Sequence, residues 1–515
     1  MNSDPQSQSI LAELAALPMA ARRARLCDLV KTEVGSILDI DPDFIDEDQS
    51  LPDLGADSLR LVALAGRLKP IIGFTVPPNV LPLDASIGDL VTLFASVLAE
   101  PDPLAALRQS QRVQLASAIA ADLYLDEAPP AALPPVTPAE AREPKHIFLT
   151  GASGFLGAYL VRALADETAA QIHCHVRARS AEDGLFRIKA NLEKFGLWTD
   201  SLPARIVAEP GDLSKPLLGL SPERFSWLAQ HIDIIHHNGA DVHLTKPYAQ
   251  LRAANVGGTR TVLQLATSGR VKPVTVISSV GLFDTPELHA LSEIDEAVSA
   301  KDVALLPNGY SQAKWAGEQL TRLAQARGLP AAILRVGHVI GAGVSADLAG
   351  RVNLSCFISG IVPDIANPID FVTPGYAASV IVALPRRLEQ FLGVYHVVNP
   401  RPLMPADVAE LVPSLPFPME ITSIERWLSE IRMAALRDPT HPLFAAADLL
   451  GDPDRPDEST FVQTVLRRPR ITTERVIKAV PKQVEACPPA RDILAAVVRE
   501  TPEFQFAFGE VTAAE

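Results

Sequence analysis

Apolar residues recur at helical spacing near the start of the chain, where Leu26, Val30, Val34 and Leu38 stand four apart within residues 8–40. That period puts them on one face of an α-helix. An acidic stretch without apolar period follows as far as Asp57. A second amphipathic segment then covers 58–68, and a third runs from about 87 to 99. Three or four helices of this kind predict a small bundle over residues 1–100. Residues 103–124 again read as helix, and the Pro- and Ala-rich EAPPAALPPVTPAEAREP (127–144) reads as a linker unable to hold a regular element. If polyproline-like, such a linker would reach about 50 Å at roughly 3.1 Å per residue.

From Lys145 the period changes. Short apolar, β-branched runs stand at HIFLT (146–150), IHCHV (172–176), ARIVA (204–208), IDIIHH (232–237), PVTVISS (273–279) and AAILRV (331–336), with helix-period segments between them. Alternation of this kind predicts an α/β fold, a Rossmann-type doubly wound parallel sheet covered on both faces, over 145–340. Beyond 341 the regularity fades. VYHVVNP (394–400) reads as a further strand, 403–440 and 473–500 read as helical, and 341–515 is expected to form a smaller C-terminal substrate lobe over the carboxyl edge of the sheet.

Charge sharpens the first boundary. The chain has 515 residues and a net charge of −15. Its first hundred residues hold fifteen Asp/Glu against seven Lys/Arg. An acidic balance disfavours nonspecific nucleic-acid binding. No run of about 18 apolar residues predicts a membrane span, and MNSDPQSQS shows no basic-then-apolar leader, so a cytoplasmic location is expected. Cys27, Cys174, Cys356 and Cys487 lack metal-ligand spacing, so reduced thiols and no metal are expected.

TGASGFLG (150–157) follows a predicted strand and opens a helix. Gly151, Gly154 and Gly157 suit a tight turn, backbone approach to a pyrophosphate and close helix–sheet packing, with Ser153, Phe155 and Leu156 completing the loop. Where an NAD site would place a carboxylate at the end of the second strand, Arg177 and Arg179 stand instead, with Arg187 one helix-length on. Guanidinium groups suit a 2′-phosphate, so NADPH is the expected cofactor. Asp212 and Leu213 are expected to flank adenine, and Asn238, Gly239 and Ala240 to pass close to the cofactor.

Tyr310 and Lys314 lie four apart in NGYSQAKWAGE (308–318), hence on one helix face. A nearby ammonium is expected to lower the phenol pKa and make Tyr310 a usable proton donor. Ser278 and Ser279 end the fifth predicted strand, where a hydroxyl would point over the sheet edge at the nicotinamide; Ser278, Tyr310 and Lys314 are expected to touch the cofactor, and Ser279 to join Tyr310 in holding a carbonyl oxygen. In the front module, Ser58 opens a helix within LGADSLRLVAL (54–64), where the dipole favours a phosphate diester. Leu59, Val62 and Leu64 are expected to divide between packing and docking.

Two resemblances gather these residues. LGADSLRLVAL resembles the 4′-phosphopantetheine attachment sequence of acyl and peptidyl carrier proteins. TGASGFLG, HVRARS, NLEKFGLW, PGDLSKPLLGLS, HHNGADV, LRAANVGGT, ISSVGLF, GYSQAKW, LRVGHVIG and YHVVNP, collinear across about 107–500, resemble the terminal thioester reductase domains of nonribosomal peptide and polyketide synthases. Those are extended short-chain dehydrogenase/reductases with carboxylic acid reductase relatives. The resemblance implies a Ser279–Tyr310–Lys314 triad, NADPH held through the glycine loop, Arg177 and Arg187, and phosphopantetheine on Ser58. It further implies a phosphopantetheinyl transferase and an upstream synthase or acyl ligase acting in trans, and release of an acyl or peptidyl thioester as an aldehyde, with further reduction to alcohol open. Fatty acyl-CoA reduction and non-redox Dieckmann-type release are the alternatives. Ser279 stands where the family usually has Thr, Val336 where it often has Pro, His243 where it commonly has Asn, and Gly337 where carboxylic acid reductases tend to have Asp.

Overall fold

The computed structural model describes residues 10, 13–14, 16–51, 53–56, 58–73, 86–98, 100, 102–125, 133–244, 246–341, 361–388, 391–411, 420–437 and 466–500. The chain divides into two compact units, Met1–Ala120 and Ala121–Glu515.

In the first unit, α1 (Met19–Leu38), α2 (Ser58–Ile72) and α3 (Ile87–Val97) surround one core. The four-residue spacing of Leu26, Val30 and Val34 turns all three inward, against Leu64, Leu68, Val91 and Phe94. Helix α3 starts at Ser86, whose side chain takes the Asp89 N–H while the Asp89 carboxylate returns to the Ser86 N–H. This capping box contributes on the order of 1 kcal/mol. Arg22 is buried in this unit, and its guanidinium donates to the carbonyls of Leu14, Leu17 and Ala95. The helix expected at 103–124 is α4 (Pro103–Asp122).

The linker expectation changes. Residues 126–132 lie outside the described part, but the segment after them is fastened to the second unit. Val136 donates to the Val271 carbonyl, and Pro138–Arg142 forms a short helix, α5, with Thr137 and Glu140 as a capping box. Pro138 sits at the first helical position, where its missing N–H costs nothing. Before the gap, Asp122 accepts from Tyr248 Oη at 2.7 Å and Arg252 Nη2 at 2.6 Å. Both ends of the Pro-rich stretch are therefore held by the second unit.

That unit is built on seven parallel strands: β1 (His146–Thr150), β2 (Gln171–Val176), β3 (Ile206–Pro210), β4 (Ile234–His237), β5 (Val274–Ser279), β6 (Ala331–Val336) and β7 (Gly393–Val397). Their spatial order is β7-β6-β5-β4-β1-β2-β3. Strand β6 is buried at every position, as a sheet covered on both faces requires. The chain runs outward from β1 to β3 and then returns to β4 on the other side of β1. This reversal opens a crevice at the carboxyl ends of β1 and β4.

Helices α6 (Phe155–Glu167), α7 (Ala181–Lys194), α8 (Pro222–His231), α9 (Tyr248–Arg252), α10 (Gly258–Ala266) and α11 (Gly309–Ala326) connect these strands. The break expected at 341 is displaced. Strand β7 pairs along β6, and α12 (Pro374–Ala383) shares its core with α6, so both belong to the sheet domain. Of the helix expected over 403–440, the described residues form Pro405–Leu411, a strand Glu420–Thr422 and Ile424–Arg437. The helix expected over 473–500 is three pieces, Glu474–Ala479, Pro481–Glu485 and Ala490–Glu500, with prolines at 481, 488 and 489 at the breaks. No helix among the described residues is long and apolar enough to cross a membrane.

Candidate functional site

Four chain segments meet at the crevice between β1 and β4. Gly151 has φ +76°, and a side chain there would start 2.7 Å from the Gly239 Cα, so the two loops touch backbone to backbone. A Cβ on Gly157 would collide with the Gly151 carbonyl, which lets α6 approach the turn. Helix α6 begins at Gly154 with no side-chain cap, leaving its first-turn N–H groups and positive dipole end to an outside anion. The Asn238 side chain donates to the Gly151 carbonyl at 3.3 Å, and Leu213 packs beneath Gly239 and Gly258. Ser153 and Gly154 are exposed, Ala240 is half-buried and Gly239 is buried. The residues would fit a dinucleotide pyrophosphate, which calls for accessible backbone at a glycine turn and an uncapped helix end.

Not every residue of the glycine loop is free for a ligand. The Phe155 ring packs against Tyr159 and Phe195, at centroid separations of 5.7 and 5.2 Å, and Leu156 lies against the sheet core. Among the arginines, Arg177 is exposed at the end of β2 and makes no ion pair among the described residues. Arg187 is held by Asp183 at 3.2 Å, one helical turn away, and the Arg179 N–H donates to the same carboxylate. The Asp212 carboxylate accepts from the Ser214 N–H and hydroxyl. The Ser214 N–H foremost, aided by the charges of Lys215 and Arg177, holds it below the usual carboxylate range.

On the other side of the crevice, α11 carries Tyr310 and Lys314 toward the end of β5. The helix begins at Asn308, whose side chain accepts the Ser311 N–H at 2.8 Å. Lys314 Nζ donates to the Ile277 carbonyl at 2.6 Å and stands 5.7 Å from the centre of the Tyr310 ring. Ser279 is half-buried at the strand end, and its hydroxyl accepts the Gly281 N–H at 3.0 Å. A Cβ on Gly281 would stand 3.3 Å from the Ser279 hydroxyl and 3.2 Å from the Ser311 hydroxyl, so the strand end lies against the start of α11.

Two expectations are corrected here. Burial pushes the Tyr310 phenol up to about 12, because the Lys314 ammonium is held on a backbone carbonyl and does not offset the loss of water. Tyr310 is therefore a firmly protonated donor. Burial also pushes Lys314 down to about 8, against the opposing charge of Glu318. Ser278, expected at the cofactor, is engaged elsewhere: its hydroxyl donates to Glu318 Oε1 at 2.6 Å within a buried cluster. Strand alternation sends neighbours to opposite faces, so Ser278 and Ser279 have different surroundings.

Glu318 and its partner Arg335 were not singled out by sequence reasoning, although Arg335, a charge inside the apolar run AAILRV, was a signal. Gly337 holds another surprise. A Cβ at that position would fall inside the carboxyl of Asp370, a residue from the segment before α12. Burial pushes this carboxyl up to about 7, opposed by the Asn399 N–H that donates to it. In the carrier unit, Ser58 is the first residue of α2; Asp57 and the side chains of Leu59 and Val62 lie outside the described part. Leu64 belongs to the core, a packing role. His243 is exposed and stands 3.6 Å from Asp241.

Known proteins are similar to this chain. Residues 149–381 match the Male sterility protein family, and residues 28–94 match the Phosphopantetheine attachment site family. The glycine betaine reductase ATRR of Emericella nidulans is 35% identical over 399 residues, which are 73% of this chain and 30% of that protein. A linear gramicidin synthase polypeptide of Brevibacillus parabrevis is 34% identical over 289 residues, 55% of this chain but only 6% of that protein. The chain thus spans well under half the length of these relatives. The crystal structure of the terminal R domain from the myxalamid PKS-NRPS biosynthetic pathway superposes with a TM-score of 0.66 at 34% identity, covering 75% of this chain and 98% of that one. A thiolation-reductase di-domain from an archaeal nonribosomal peptide synthetase has the same fold, with a TM-score of 0.61 at 18% identity over 94% of this chain and 98% of its own. The chain therefore belongs to the terminal reductase domains of nonribosomal peptide and polyketide synthases, an NAD(P)H-dependent oxidoreductase family, and carries a phosphopantetheine attachment domain ahead of the reductase.

Proposed function

We infer that the protein releases an acyl or peptidyl group, held as a thioester on phosphopantetheine at Ser58, by NADPH-dependent reduction to an aldehyde. The observation that carries this reading is the placement of Tyr310 and Lys314 on one face of α11, beside the end of β5 and across the crevice from the glycine loop. The bound dinucleotide would supply the hydride. The chain's own residues supply the rest. Tyr310, protonated, donates to the thioester oxygen as the acyl carbon accepts the hydride and negative charge gathers on that oxygen. Ser279 offers a second hydroxyl to the same oxygen. Lys314 places a positive charge behind Tyr310. The carbon–sulfur bond then breaks: the oxygen gives up its proton as the carbonyl re-forms as the aldehyde, and the sulfur leaves as the thiol with that proton.

Arg177 supports NADPH over NADH, since it is exposed at the end of β2 without an ion pair among the described residues, and a guanidinium there suits a 2′-phosphate. Arg187 joins it only by leaving Asp183, and is the weaker contact. A phosphopantetheinyl transferase would charge Ser58, and an upstream synthase or acyl ligase would load the acyl group. The buried free thiols Cys27, Cys174 and Cys487 suit a reducing cytoplasm. The presence of Tyr310 favours redox over Dieckmann-type release, and the attachment domain favours a tethered acyl group over free acyl-CoA.

Intact-protein mass spectrometry of acyl-loaded protein, with and without NADPH, tests the reading. The acyl mass should leave Ser58 only with NADPH, with one equivalent oxidised per aldehyde formed. Discharge without NADPH consumption would overturn it.

A further inference from the structure

His237 ends β4 and lies directly beside Thr150 in the register of β4 on β1. Both are buried. Their hydrogen bonds nevertheless run to both loops of the crevice. The Gly239 N–H donates to Thr150 Oγ1 at 2.8 Å, and Thr150 Oγ1 stands 2.9 Å from His237 Nδ1. On the far side of the ring, His237 Nε2 stands 3.0 Å from Thr259 Oγ1, which donates to the Asn255 carbonyl at 2.6 Å. The Asn255 side chain grips Asp241 at both backbone groups. Its Oδ1 takes the Asp241 N–H at 2.7 Å and its Nδ2 donates to the Asp241 carbonyl at 3.0 Å.

For a neutral ring the proton inventory admits one consistent arrangement. Each threonine hydroxyl has a single proton. Thr259 spends its proton on Asn255, so it accepts from Nε2–H. Thr150 accepts from Gly239 and gives its proton to Nδ1. Asn255 lies in the π-turn Ala253–Gly257 between α9 and α10, a local widening of the helix of a kind frequent at functional sites. Thr259, one turn on, packs beside Gly317 of the catalytic helix α11.

We propose that His237, as the neutral Nε2–H tautomer, is a positioning residue that ties the loop 238–241 to β1 on one side and to the π-turn of α9–α10 on the other, and so sets the backbone against which the nucleotide lies. It acts at a distance from the reacting atoms, through Thr150 and Thr259. The inference rests on the reading of the glycine edge as the nucleotide site. Burial foremost, with the charges of Lys314 and His175, pushes the ring down to about 3 and keeps it uncharged.

The test uses the full-length protein and NADPH itself, with dissociation constants from nicotinamide fluorescence. Parent protein that fails to bind NADPH removes the underlying reading and this inference with it. If the parent binds, Thr150→Val should raise the NADPH dissociation constant about tenfold, roughly 1.4 kcal/mol, and Thr150→Ser should restore it. Thr259→Val, on a helix away from the glycine loop, should raise it as well. In turnover, KM for NADPH should rise about tenfold while kcat at saturation falls less than threefold. Unchanged affinity in folded Thr150→Val and Thr259→Val overturns the proposal. If the valine variants do not fold, the parent decides. Imidazole-labelled protein should show a histidine locked as Nε2–H from pH 5 to 9, and a titrating or Nδ1–H ring assigned to His237 overturns the proposal equally.

Discussion

Arg335 and Glu318 form a two-pronged ion pair in which neither side chain is exposed, with Nε–Oε1 and Nη2–Oε2 both at 2.9 Å. Arg335 comes from β6 and Glu318 from α11, one turn beyond Lys314. Ser278 of β5 donates to the same carboxylate, and the Val298 carbonyl accepts from Arg335 Nη1 at 2.8 Å. The pair therefore sets how α11 lies on the sheet, and with it where Tyr310 and Lys314 point. Removing one partner strands a buried charge, which typically costs about 3–5 kcal/mol. Glu318→Ala should lower the unfolding free energy by an amount of that order, whereas Ser278→Ala, which removes one hydrogen bond, should cost only about 1 kcal/mol. Chemical denaturation of the three proteins checks this ordering. Equal losses would mean that the carboxylate is not the keystone of the cluster.

Tyr310→Phe keeps the ring and removes the donor. It should lower kcat by about 10²–10⁴-fold, the usual range for a positioned proton donor, with little change in NADPH affinity. Single-turnover NADPH oxidation on acyl-loaded protein measures the first, and fluorescence titration the second.

The pH profile should follow Lys314. With Tyr310 pushed up to about 12, the phenol stays protonated through the working range. Lys314, pushed down to about 8, is charged below that pH and neutral above it. The charge that stabilises the developing oxyanion is thus lost as pH rises through about 8, and the rate should fall on the alkaline side of that value. Lys314→Met should be slow throughout and lack this alkaline limb in the single-turnover rate.

At position 337 the prediction concerns space. A methyl group on Gly337 has no room while the Asp370 carboxyl is present. Gly337→Ala should destabilise the protein by about 1–3 kcal/mol, the typical range for overpacking. In Gly337→Ala/Asp370→Ala the second change should recover part of that loss, and a double-mutant cycle on melting data measures the coupling. Additive losses would show that the two positions do not share the space.

Cofactor choice gives a further comparison. Arg177→Ala should weaken NADPH about 10–100-fold, as loss of a charge-assisted bond worth roughly 1.5–3 kcal/mol implies, and leave NADH binding nearly unchanged. Arg187→Ala should do less, because that side chain is already committed to Asp183. Dissociation constants for both nucleotides separate the cases.

Strand and helix order, the glycine turn, the Tyr310–Lys314 face and the attachment helix at Ser58 were all legible in the chain, because each depends on residues a few positions apart. Hydrophobic period declares a helix or a strand locally, and a glycine spacing or an i, i+4 pair carries its geometry with it. Tertiary structure alone decided the protonation of Tyr310, the diversion of Ser278 to Glu318, the seating of Asp370 in the space at Gly337 and the fastening of the Pro-rich segment at both ends. Each of those results joins residues far apart in the chain. Each also depends on how much water the assembled fold removes from a polar group and which distant partner replaces it, and no local pattern encodes either quantity.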